Sequence, residues 1–453
     1  MSLSPAAKGA LWLIGGLILL ILAVPGTWLL VNVFDAPLDP QVRAVLERRY
    51  DTVAPAENLF YALLALNSRD AGDINAQGQR LYSEYLRQSA AHAADRTFRF
   101  DYEGTLARQP FEGNQQLLCG SAKPQEDCLE RARGTATELE QLLASNRLLL
   151  DRYGSLQRYR HLQDPVHLAV NSLIVQWQPF RAAKRLWLTD VALQIDAGNR
   201  DAAIDALREE IAFTRRMLAE PDLILIDKMM LAASLRDSLH LISDFVRQVP
   251  LSQAQFQALE QMNPPLTDDE RSLSTVFARE FTGFADFAQS YGDPEHPAFS
   301  PGLAGSLQSR FFKYHATLNL KWSTVDETIA QSRGSCEKLP REEPTSGVRA
   351  KLPFYDYVYN PIGKILVVMS ASSGLDFLET FCDLEGMRRI VALQAMLRAR
   401  QVPDEEVAEF LRQAGPAFGN PYTGLPMQWN AAGHALSFEP LAPRDRDYFP
   451  WAI

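Results

Sequence analysis

The 26 residues from Gly9 to Phe34 carry no charged side chain, and only Thr27 and Asn32 interrupt the apolar and glycine run between Lys8 and Asp35. As a helix the run would extend about 39 Å at about 1.5 Å per residue, more than the roughly 30 Å of hydrocarbon in a bilayer, so it can span with tilt. Trp12 and Trp28 stand near its two ends, where indole rings favour the headgroup region. A cleaved signal peptide is the competing reading, because Val24, Pro25 and Gly26 offer smallish residues at a tolerable cleavage position. Trp28 to Val31 carries the run past a signal-peptide core of roughly 7–15 residues. The expectation is therefore a cytoplasmic tail over 1–8 and a transmembrane signal anchor over 9–34.

Charge alone does not orient this anchor, since Lys8 precedes it and Arg43, Arg48 and Arg49 follow it. Long domains cross largely regardless of such counts, and an uncut signal with a short basic tail normally leaves that tail inside. The expected location is the bacterial inner membrane, single-pass, with the bulk of the chain periplasmic. Every acidic residue and every basic one but Lys8 lies from Asp35 onward, so the part beyond the anchor holds 44 basic and 55 acidic residues, a net charge of −11. That balance argues against a nucleic-acid partner or charge-driven adhesion to anionic lipid.

Four cysteines, Cys119, Cys128, Cys336 and Cys382, suit an oxidising compartment. Local pairing, Cys119 with Cys128 and Cys336 with Cys382, is the simplest of three connectivities, and the sequence does not choose among them. No CxxC or CxxH pair occurs, so neither a metal nor another cofactor is expected.

The rest reads as mainly α: packed helical hairpins forming a bundle or short solenoid. Asp39 to Tyr50 predicts a short helix, and the segment after Pro55, through Leu59, Tyr61, Leu63 and Leu66, is apolar on nearly all sides and so predicts a buried helix. Leu129, Ala132, Ala136, Leu139, Leu143, Leu150 and Tyr153 predict one long helix from Glu126, with Asn146 on its apolar stripe awaiting a partner helix. Pro165 should start another helix and Pro179 kink it. Leu186 to Leu218, turning at Gly198 and Asn199, resembles a single tetratricopeptide-type hairpin. Ser252 and Thr267 predict N-caps, the second followed by Asp268, Asp269 and Glu270. A helix is expected from about Leu307 to Gln331, and Ile362 to Met369 is too short for a second crossing. These elements divide into a helical lobe over 35–291, a possible hinge over 292–305, a second lobe over 306–415, and a C-terminal cap over 416–453 with a small β-hairpin turning at Ala431 to Gly433.

Several segments together resemble a group of uncharacterised proteobacterial envelope proteins with an N-terminal anchor: the anchor itself, Asn58 to Leu64, the Cys119 and Cys128 pair, His315-Ala316-Thr317-Leu318-Asn319, and Asn420 to Pro426. The resemblance implies topology and no chemistry.

No HExxH, GxSxG, GxxxxGK[ST] or GxGxxG occurs. Two residues stand out by their surroundings. Glu280 lies in Phe277-Ala278-Arg279-Glu280-Phe281, and His315 follows Tyr314 with Asn319 one turn on. An Arg–Glu pair and a hydrogen-bonded core histidine are the structural readings of these two. The expected function is non-enzymatic, a membrane-anchored periplasmic scaffold binding a protein or peptide of the cell envelope. The alternative is a peptidoglycan hydrolase using buried carboxylates.

Overall fold

The computed structural model describes residues 12, 14, 16, 23, 26–49, 52–92, 98–120, 127–165, 168–169, 171–292, 302–339, 357–370, 374–441 and 451–452. The tail 1–8, most of the expected anchor and residues 293–301 of the expected hinge lie outside them. Of the described residues of the apolar run, 12, 14, 16, 23 and 26–31 are helical and exposed, and 32–34 form a turn in which Asn32 is buried.

The architecture is mainly helical. After α1 (Pro40–Leu46), the chain enters α2 (Leu59–Leu64), in which every residue is buried. A helix without a polar face must be enclosed, and α3 (Ile74–Ala91) lies against it. Gly78 allows the approach, since a Cβ there would sit 1.8 Å from the Tyr61 carbonyl oxygen. Asn58 caps α2 by accepting from Phe60 N–H, and its amide donates to the Gln163 carbonyl 2.7 Å away. The backbone at His161 pairs in parallel with Asn58, and the described residues between there and Trp177 are not helical, so the next described helix begins at Trp177 rather than at Pro165.

The long helix expected from Glu126 is instead three, α4 (Cys128–Gly134), α5 (Ala136–Ser145) and α6 (Arg147–Ser155). The breaks fall at Thr135 (φ −135°) and Asn146 (φ −109°). Asn146 exchanges hydrogen bonds with the Glu112 backbone at 3.1 and 2.8 Å, so its partner is a loop rather than a helix. Pro179 does not kink α7 (Trp177–Asp196). It sits in the first turn, where its missing N–H would have had no intrahelical acceptor. The hairpin turns at Gly198 (φ +86°) into α8 (Arg200–Leu218). Next come α9 (Leu225–Gln248) and α10 (Gln253–Gln261). Ser252 and Thr267 both form full capping boxes, but the second opens only a single turn, Asp268–Arg271, before α11 (Ser274–Gln289).

The helix expected from Leu307 is two, α12 (Leu303–Ser309) and α13 (Tyr314–Ser332), because Lys313 turns extended and gives its N–H to the Asn360 side chain. Beyond lie α14 (Pro361–Met369), α15 (Gly374–Arg400) and α16 (Asp404–Ala414). α15 packs on α9 and α10, so residues on both sides of 292–305 share one hydrophobic core. Within Pro361–Arg400 an 18-residue window is apolar enough to cross a membrane, though 47% of that window is buried in the domain. Within α15, Glu385 pairs with Arg388 and Arg389 at 2.8 and 2.9 Å, which suits a core helix. The C-terminal hairpin, β1 (Gln428–Asn430) with β2 (Ala435–Ser437), gains a third antiparallel strand, β3 (Trp451–Ala452).

Cys119 bonds Cys128 and Cys336 bonds Cys382.

Candidate functional site

Asn32, a polar interruption in the apolar run, is 2% exposed and engaged on every side. Its amide donates to the Trp28 and Val358 carbonyls at 2.9 and 2.7 Å, and its oxygen accepts from Asn360 N–H at 2.8 Å. Asn360 in turn is held at φ +51°, a left-handed conformation that asparagine tolerates better than most residues. Its oxygen accepts from Lys313 and Gly363 N–H, and its amide donates to Thr317 Oγ1 at 2.9 Å. Asn360 therefore caps α14 and ties it to α13 and to the apolar run at once.

The next residues are clamped by the first turns of α13. That helix has no side-chain cap from its own N-cap residue, Lys313. Asp35 supplies one across the chain: its carboxylate accepts from His315 and Ala316 N–H at 2.8 and 3.1 Å, where an anion also opposes the helix dipole. His315 Nδ1 lies 3.2 Å from the Ala36 carbonyl oxygen and can donate to it. Asn319 donates to the Pro37 carbonyl and accepts from Asp39 N–H, both at 2.9 Å. The His315-to-Asn319 segment thus grips residues 35–39 by backbone recognition, and Trp28 stacks on Phe311 with centroids 4.4 Å apart. His315 belongs to this latch.

Glu280 performs the same service elsewhere. It is half-buried, and its carboxylate accepts from Leu225 N–H at 2.8 Å, capping α9, whose own N-cap residue Ile224 gives no side-chain bond. Burial pushes Glu280 above the usual carboxylate range, while the Leu225 N–H opposes the shift. In the same turn of α9, Asp227 is 1% exposed and accepts from Trp177 Nε1 at 3.0 Å. Burial, helped by the nearby Asp164 carboxylate, pushes Asp227 up to about 7. Lys228 beside it is pulled down to about 8 by burial and donates to the Leu218 and Asp269 carbonyls.

A perturbed carboxylate of this kind marks a functional site only where a substrate can reach it, and Asp227 is sealed. Its effect is on stability. A carboxyl raised from 3.8 to about 7 imposes no penalty while both folded and unfolded chains hold the proton, below about pH 4; the penalty grows to pH 7 and is constant above. Asp227→Asn keeps an acceptor for Trp177, so it should stabilise the protein at pH 8 by roughly 1–3 kcal/mol, given about 1.36 kcal/mol for each tenfold change in proton affinity, and by nothing at pH 4. Urea midpoints at the two pH values check this, and a pH-independent difference would show that Asp227 does not titrate across that range.

A cleft of about 390 Å³ opens beside the Cys336–Cys382 disulfide, lined by Asp268, Arg271, Arg333, Leu378 and Phe381 among others. Arg271 pairs with Asp268 at 2.6 Å, and the Arg271 Nε has no partner although buried. Neither Glu280 nor His315 lines this cleft. Its only sequence signal was the cysteine pair, because its walls come from the Asp268 turn, the end of α13 and the start of α15. Among the described residues no group of three histidine, cysteine or acidic side chains could hold a metal ion. The chain matches no protein-family model, no curated protein and no solved structure, so its functional reading rests on this geometry.

Proposed function

We propose that this is a single-pass, N-terminally anchored protein of the bacterial inner membrane whose helical domain, in the periplasm, binds a protein or peptide of the cell envelope without catalysing a reaction. The observation that carries the reading is the latch. Asn32 and residues 35–39, the exit of the apolar run, are fixed to α13 and to the chain entering α14 by side-chain hydrogen bonds. A flexible tether would need none of these bonds, whereas a domain held at one height and orientation above a bilayer needs them all. Two disulfides suit an oxidising compartment. The cleft beside Cys336–Cys382 offers the partner a mixed apolar and cationic wall. Glu280, the acid named for the hydrolase alternative, holds the Leu225 N–H and lies outside that cleft.

The test joins extraction to crosslinking. The full chain should stay with membranes through an alkaline wash, and crosslinking should yield one stoichiometric envelope partner that is lost when Ser272→Trp fills the cleft. Release by the wash would overturn the anchor. Retention with no partner, together with digestion of purified peptidoglycan, would overturn the binding role.

A further inference from the structure

The latch does more than hold the domain; it brings a second apolar surface to the same place. α14 buries Gly363, Leu366 and Val367 against α13, and Gly363 is pressed so closely that a Cβ would lie 1.9 Å from Thr317 Oγ1. The opposite face carries Ile365 and Met369, four residues apart and hence on one side of the helix, with Ile362 at its edge still packed against the core. Ile365 is 47% exposed and Met369 78%, and Val358, just before the helix, is 42% exposed. Exposed apolar residues of this size in one place mark a contact surface.

We propose that this face of α14, with Val358, is a foot that lies in the lipid interface around the anchor, at the boundary of headgroups and acyl chains. The inference rests on the anchor assigned above and goes beyond it by giving the domain its own contact with lipid. The occupant follows from continuity. Val358 and Asn360 are hydrogen-bonded to Asn32, inside the apolar run, and Trp28 stacks on Phe311, whose carbonyl accepts from Ile362 N–H at the start of α14. Trp28 belongs to the level at which indole rings settle in a bilayer. With that ring at the headgroups, the outer face of α14 is at the headgroups too. A helix of nine residues, about 13.5 Å long, is too short to span and long enough to lie in that plane. The acidic balance of the chain does not oppose this, because the contact is apolar.

The native cysteines are paired, so Met369→Cys and, as a control on α3, Leu86→Cys each give a single thiol for an environment-sensitive fluorophore. The labelled full chain is placed in vesicles of phosphatidylethanolamine and phosphatidylglycerol carrying a shallow nitroxide lipid, and the alkaline wash is applied to the same sample. The expected result is retention in the pellet with the Met369 probe quenched by the lipid at least about threefold more than the Leu86 probe. Retention with equal quenching overturns the foot and leaves the anchor standing. Release overturns the anchor and the foot together. A Met369 probe that is blue-shifted, insensitive to the lipid quencher and dependent on protein concentration overturns the lipid assignment in favour of a second copy of the chain.

Discussion

Lys184→Met should unfold this domain more readily than almost any other single change, lowering its stability by roughly 3–5 kcal/mol, the range for breaking a buried ion pair. Glu210 is 0% exposed and Lys184 2%, and Lys184 Nζ lies 2.6 Å from Glu210 Oε1 in the middle of the packed hairpin of α7 and α8. The ammonium also donates to Ser238 Oγ on α9 at 2.7 Å, and Tyr153 OH on α6 donates to the same carboxylate oxygen at 2.7 Å. Four helices thus meet at one ion pair. Methionine matches the aliphatic stem of lysine, so the loss falls on the charge left behind rather than on volume. Burial, and after it the Glu210 carboxylate, holds the Tyr153 phenol well above its ordinary range, so tyrosine stays a neutral donor and does not replace the lost cation.

The companion variant separates pairing from packing. With Lys184→Met and Glu210→Leu together, no charge remains buried, and the double change should recover about half of the loss. It should not recover all of it, because the Tyr153 hydroxyl then lacks its Glu210 acceptor, at about 1–3 kcal/mol for an unsatisfied group, while Ser238 keeps its bond to the Ser234 carbonyl. Urea midpoints of the detergent-solubilised full chain, followed by tryptophan fluorescence, measure both. A Lys184→Met midpoint equal to that of the wild type would mean that Glu210 finds water or a proton where the fold leaves it neither.

What was legible in the sequence, and what was not, divides by the range of the interaction. The all-apolar segment at Leu59–Leu64, the hairpin turning at Gly198, the caps at Ser252 and Thr267 and the terminal hairpin are local patterns, and each lies where its own residues predict. The failures are places where a distant group overrules a local one. Asn146 ends a helix because a loop more than thirty residues earlier offers it a backbone pair. Asp35 and Glu280 cap helices through N–H groups 280 and 55 residues away in sequence, which no window of neighbours reveals. Glu280 and His315 stand out in the sequence because polar groups among aromatic residues must be bonded to something; composition gave that pressure, and only the fold gave the partner. Asn32 carried the same signal within the apolar run.

Replacing Cys336 and Cys382 by serine should destabilise the domain by about 4 kcal/mol, and replacing Cys119 and Cys128 by roughly 2.5 kcal/mol, since a crosslink restricts the unfolded chain more as the loop it closes grows. The sequence separations are 46 and 9 residues. The shorter loop has other supports: Cys119 N–H is held by Thr189 Oγ1 and Cys128 N–H by Asp244, both at 3.0 Å. The longer one joins the turn after α13 to α15 across the lining of the cleft, and its loop includes α14. Its loss should therefore loosen both the cleft and the foot, so that partner crosslinking and quenching of a probe at Met369 fall together. Both sulfurs are in buried residues, 7% and 5% exposed, so a reductant must wait for the fold to open. Midpoints for the two serine pairs, with wild type measured with and without reductant in urea, give the order directly. A larger loss for the Cys119–Cys128 pair would show that the stretch from α13 to α15 is ordered without its crosslink, and that the crosslink matters more at the α4 end of the domain.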